Sequence, residues 1–111
     1  MRKLILILLF VFIATPATAQ RTTMTHTVVS VLNASTVAVA ASNLRNFLIL
    51  QNDSDTDIYC KFGATAVANE GFRLTANGGA LLLDYKFSAQ AVNCIHGAGV
   101  GKNLLISQGA Q

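Results

Sequence analysis

Beyond its first nineteen residues, the chain holds no segment in which apolar residues recur at helical spacing over the length of a helix. Apolar residues come instead in short runs, several of them alternating with polar neighbours, and each run is closed by Gly, Asn, Asp or Ser. Short strands separated by turns are the structure that such spacing allows. Val29/Val31 and Val37/Val39 have strand spacing, with Asn33-Ala34-Ser35 as the turn between them. Phe47 to Gln51 is an apolar run too short for a typical helix. The polar stretch Asn52 to Asp57 and a second arm, Ile58 to Phe62, follow it and predict a hairpin. In that arm Ile58, Cys60 and Phe62 share one face and Tyr59 and Lys61 the other, the alternation of a half-buried strand.

Gly63 closes the arm, and Phe72-Arg73-Leu74 alternates again. Asn77-Gly78-Gly79 supplies residues that tolerate positive φ, after which Ala80 to Asp84 runs back. Ala91 to His96 and Asn103 to Ser107 are the last two strands, joined by a glycine-rich hairpin loop, Gly97 to Gly101. Only Thr65 to Glu70 has helical composition, and it is too short to stand alone. The expected fold is therefore all-β: a single small antiparallel β-sandwich or jelly-roll-like barrel of seven or eight short strands.

The first nineteen residues have a different character. Met1-Arg2-Lys3 is basic, Leu4 to Ala14 is unbroken apolar sequence, and Thr15-Pro16-Ala17-Thr18-Ala19 ends in small residues. This is the layout of a secretory signal cleaved after Ala19. The apolar run of eleven residues is short for a membrane span, and the alternative is an uncleaved hydrophobic anchor or N-terminal helix. Residues 1–19 are thus a signal or anchor and residues 20–111 one domain, exported to a periplasmic or extracellular location or associated with a virion. A membrane contact is expected only through an uncleaved leader.

Removing the leader takes Arg2 and Lys3 with it and leaves six basic against five acidic residues in 92, so the basic charge belongs mostly to the leader. Arg21, Arg45, Lys61, Arg73, Lys86 and Lys102 are scattered, and Trp is absent, which argues against nucleic-acid binding. Both cysteines, Cys60 and Cys94, lie in the exported part. An oxidising compartment would join them as a structural disulfide; two buried thiols are the alternative.

Candidate chemistry fails on spacing. Gly97 to Lys102 lacks the first Gly and the Ser/Thr of a P-loop, having His96 and Asn103 there, and no helix follows to receive a phosphate. Asp53, Asp55 and Asp57 begin like a calcium loop, but Ile58 and Ala64 stand where Gly and Glu are needed. Cys60, Cys94, His26 and His96 have no zinc-finger spacing, and a secreted enzyme would need a polar pocket built around Cys94, His96 and Asp84. There is no nucleophile elbow. The expectation is a non-enzymatic protein with no cofactor, no metal and no catalytic residue. Asn33-Ala34-Ser35 and Asn52-Asp53-Ser54 match the glycosylation acceptor pattern.

Thr22 to Leu44 carries no formal charge, and its first twenty residues lack the Lys and Pro that keep an edge strand from pairing with a neighbour. Such a stretch needs a partner: the adjacent strand inside the fold in the first place, or, between chains, a protein partner or self-association by strand addition. The series Arg45-x-x-Leu48-x-Leu50-x-Asn52, Asp57-Ile58-Tyr59-x-x-Phe62-Gly63, Gly71-Phe72-x-Leu74 and Gly78-Gly79 resembles small tailed-phage β-sandwich virion proteins of the head-decoration or fibre-attachment kind. The resemblance covers about residues 45–108, leaves out the leader and carries no functional residue. It implies a virion-type decoration or cement component. The alternative is a small exported binding module for a glycan or protein, with only Tyr59 and Tyr85 as stacking aromatics.

Overall fold

The computed structural model describes residues 22–84 and 88–110; the leader and Tyr85 lie outside them. Eight strands are present: β1 Thr23–Val31, β2 Thr36–Val39, β3 Arg45–Asn52, β4 Ile58–Phe62, β5 Phe72–Leu74, β6 Ala80–Leu83, β7 Val92–His96 and β8 Lys102–Ala110. They form two antiparallel four-stranded sheets, ordered β1-β8-β3-β6 and β2-β7-β4-β5. Among the described residues there is no helix, and Thr65 to Glu70 holds only a turn at Ala68-Asn69.

Both sheets turn their apolar face to one core. Val31, Leu48, Leu50, Leu104 and Ile106 come from the first sheet, and Val39, Ile58, Cys60, Leu74, Val92 and Cys94 from the second. The period-2 pattern of β4 is observed: Ile58 and Cys60 are fully buried and Phe62 packs on the core, its ring 5.6 Å from that of Phe72. At the middle of the second sheet Cys60 lies directly opposite Cys94, and the two form a disulfide with a Cα–Cα separation of 4.1 Å.

The hairpins expected from the sequence are not formed. β3 and β4, β5 and β6, and β7 and β8 are each split between the two sheets, and only β4 and β5 are consecutive partners. Buried Asn52 shows why the first connection crosses the sandwich. Its Nδ2 donates to the carbonyls of Thr56 (2.7 Å) and Leu74 (2.9 Å), while its Oδ1 accepts from the Ser54 amide (3.0 Å) and hydroxyl (2.6 Å). One amide thus closes the loop and ties it to the end of β5 in the opposite sheet. The Asn52 acceptor pattern is therefore inside the fold, whereas Asn33 is exposed.

At the other end Arg45 is buried, and donates to the carbonyls of Ala40 (3.1 Å), Ser88 (3.1 Å) and Gln90 (2.8 Å). It fastens the β2–β3 and β6–β7 connections together, and its burial lowers the guanidinium pKa from its ordinary value. The turn residues behave as their chemistry requires: Asn77 and Gly78 adopt φ of 60° and 110°, and Gly63 a φ of 68°.

Candidate functional site

The two outer faces of the sandwich differ in kind. On β1-β8-β3-β6 the side chains pointing away from the core fall into cross-strand rows set by the register. One row runs Val28, Leu105, Gln51, Ala80, and the next runs His26, Ser107, Ile49, Leu82. Beyond them Met24, Gly109 and Phe47 make a third, beside a shallow depression that Asp84 also lines. Val28 is 60% and Leu82 56% exposed, although each lies on a strand that an ordinary surface would face with charge. Among the described residues the formal charges on this face stand at its two ends: Asp84 beside Phe47, and exposed Asp53, whose amide bonds the Asn103 carbonyl.

The opposite face is charged. Tyr59 projects outward from β4 between Arg73 of β5 and Ile95 of β7. Two adjoining open depressions share Tyr59 and Asn69; Asp55, Thr56 and Asp57 border one, Gly71 and Arg73 the other. Asp57 Oδ1 accepts from the Ala76 amide at 2.8 Å and Lys61 pairs with Glu70. Asp55 pairs with Lys102 at 2.7 Å. The Lys102 ammonium and the Thr56 hydroxyl hold the Asp55 carboxyl below its ordinary range, and solvent surrounds it. The pair fastens the start of β8 to the 53–57 loop. Lys102, the basic residue of the glycine-rich loop, is therefore engaged with a carboxylate.

The other residues with candidate chemistry are separated or consumed. Cys60 and Cys94 are bonded to each other. His96 is buried on the same face of β7 as Cys94, and its Nδ1 accepts from the Ala98 amide at 2.9 Å, which leaves the ring proton on Nε2. His26 lies on the outer face of the other sheet, 2.7 Å from the Ser107 hydroxyl. Asp84 is exposed on that sheet as well, so no pocket joins Cys94, His96 and Asp84. No group of three His, Cys, Asp or Glu side chains converges among the described residues.

The uncharged outer face escaped sequence reading because its members come from four strands that the chain visits in no simple order. Only the β1 part of it was visible, as the uncharged stretch from Thr22. Compared with known protein families, with curated proteins and with solved structures, the chain matches none.

Proposed function

We propose that the exported domain is a non-enzymatic structural component that joins a larger assembly through the uncharged outer face of β1-β8-β3-β6, as a virion-type decoration or cement protein does. The observation that carries this reading is the division of the surface: charge is gathered around Tyr59 on one sheet, while the other presents Val28, Leu105, Ile49, Phe47 and Leu82 with carboxylates only at its ends, Asp84 and Asp53. A sheet face that exposes aliphatic side chains and keeps charge out of its middle is the kind of surface a protein contact uses. The strand order adds support, since alternate winding of eight strands into sheets 1-8-3-6 and 2-7-4-5 is that of a jelly roll, an architecture shared by viral capsid and lectin domains. The buried disulfide suits an oxidising, exported setting.

The test separates the producing culture into particles and soluble protein by sedimentation and maps the N-terminus of this chain in each by mass spectrometry. Recovery in particles at fixed stoichiometry is the expected result, starting at Gln20 if the leader is a signal and at Met1 if it is an anchor. Recovery only as soluble protein starting at Gln20 would retire the assembly reading.

The depressions flanking Tyr59 favour a second reading, an exported module that holds a glycan by stacking it on the phenol ring among Asp57, Asn69 and Arg73. On that reading a glycan that binds the exported protein loses at least tenfold in affinity with the Tyr59→Ala variant, measured by calorimetry, while Tyr59→Phe keeps most of it. Equal affinity of the wild type and Tyr59→Ala would remove this site.

A further inference from the structure

The outer edge of β1 carries a second kind of complementarity. Asn52 directs both its backbone groups away from β8, its amide donating to the Gly79 carbonyl and its carbonyl accepting from the Gly78 amide, each at 2.8 Å. Asn52 faces Leu104, so in the alternating antiparallel pattern Leu104 turns its own groups toward β1 and pairs with Val29. The Asp53 amide bonds the Asn103 carbonyl, which agrees with this alternation. The β1–β8 register runs unbroken from Thr23 to Val31. Thr23, Thr25, Thr27, Val29 and Val31 therefore spend their backbone groups on β8, and Met24, His26, Val28 and Ser30 point theirs out of the sheet. Among the described residues no strand pairs with that edge.

We propose that a second copy of this chain pairs with it, β1 against β1 antiparallel about a two-fold axis at Thr27. In this register Met24 meets Ser30 of the second copy and His26 meets Val28, so each outward-pointing residue finds a hydrogen-bonding partner and four pairs exchange about eight hydrogen bonds. Thr27 meets Thr27 at a non-hydrogen-bonded position on the axis. Charge permits it: Thr22 to Leu44 has no formal charge, so the two strands bring no like charges together, and His26 faces an aliphatic side chain. Neither strand carries the lysine, proline or bulge with which edge strands resist such pairing. The result is one continuous eight-stranded sheet that doubles the uncharged outer face. The pairing rests on the reading of this side of the molecule as an assembly surface and names its first partner.

The full chain is expressed with its own leader, and the exported product is examined by sedimentation equilibrium and by crosslinking. A dimer is expected at micromolar concentration. Under mild oxidation a Thr27→Cys variant is expected to form a covalent dimer, because residues opposed at a non-hydrogen-bonded position lie about 4.5 Å apart at Cα. Thr25→Cys, displaced by about 14 Å from its own copy in this register, is expected to stay monomeric on a non-reducing gel. His26→Pro is expected to raise the dimer dissociation constant at least a hundredfold with the circular dichroism of the fold kept, since proline at an outward-pointing N–H removes no bond to β8. A wild-type monomer at 100-fold higher concentration (about 0.1 mM) would overturn the proposal, as would crosslinking through Thr25→Cys in place of Thr27→Cys. A monomer that still co-sediments with particles would defeat the pairing alone, whereas a dimer found only in the soluble fraction would defeat the assembly reading alone.

Discussion

The Cys60→Ala/Cys94→Ala double variant is expected to melt roughly 15–30 °C below the wild type, from a loss of about 4 kcal/mol. The two cysteines are 34 residues apart, and between them lie two of the chain's crossings, from β5 to β6 in the other sheet and back to β7. Constraining a loop of that length removes about 4 kcal/mol of entropy from the unfolded chain, a large part of what a domain this size has in total. The bond joins opposed residues of β4 and β7, the two central strands of their sheet, and both cysteines are fully buried. Alanine therefore also leaves a small gap between the sheets, which adds to the loss. Urea unfolding of the two proteins, with and without reductant, measures it. The native protein should resist reduction until it unfolds. A difference below about 1 kcal/mol would mean that the unfolded chain is already held compact in this region.

That bond also marks the boundary of what the sequence makes legible. Strand positions followed from alternation, because Ile58, Cys60 and Phe62 can only be buried together in an extended chain. The turns followed from residues that accept positive φ, as Gly63, Asn77 and Gly78 do. Sheet membership did not follow. An inward-facing Leu50 and an inward-facing Ile58 look alike whether they share a sheet or face each other across the roughly 10 Å between two sheets. A short polar connection such as Asn52 to Asp57 can serve either arrangement, and the hairpin reading took the more local one. The side chain that decides the matter, Asn52, reads in sequence as an ordinary turn residue. Its partner Leu74 is 22 positions away, and no local pattern announces that contact. The outer face was hidden for the same reason. Val28, Leu105, Ile49 and Leu82 become neighbours only when the strand order is known.

Asn52→Asp is expected to cost about 4 kcal/mol at neutral pH, a large effect for the exchange of one NH2 for one oxygen. The wild-type amide is wholly buried with both ends used: two donated hydrogen bonds to main-chain carbonyls and two accepted ones from Ser54. A carboxylate keeps the accepted pair and sets its second oxygen against the Thr56 and Leu74 carbonyls, so two attractive contacts become repulsive ones around a buried charge. Burial and the facing carbonyls raise the carboxyl pKa in the folded variant above its unfolded value. The folded state then binds the proton first. The deficit is accordingly complete above the raised pKa and shrinks as the pH falls through it, when the protonated acid regains one donor. Asn52→Leu separates the charge from the lost bonds. It leaves the Leu74 carbonyl and the Ser54 amide without their partner, at about 1–3 kcal/mol each, and its deficit should hardly change with pH. Urea midpoints of the wild type and both variants at pH 7 and pH 4 test the pair. Equal pH dependence of the two variants, or a deficit under about 1 kcal/mol in either, would show that the loop after β3 is held across the sandwich by something other than this amide.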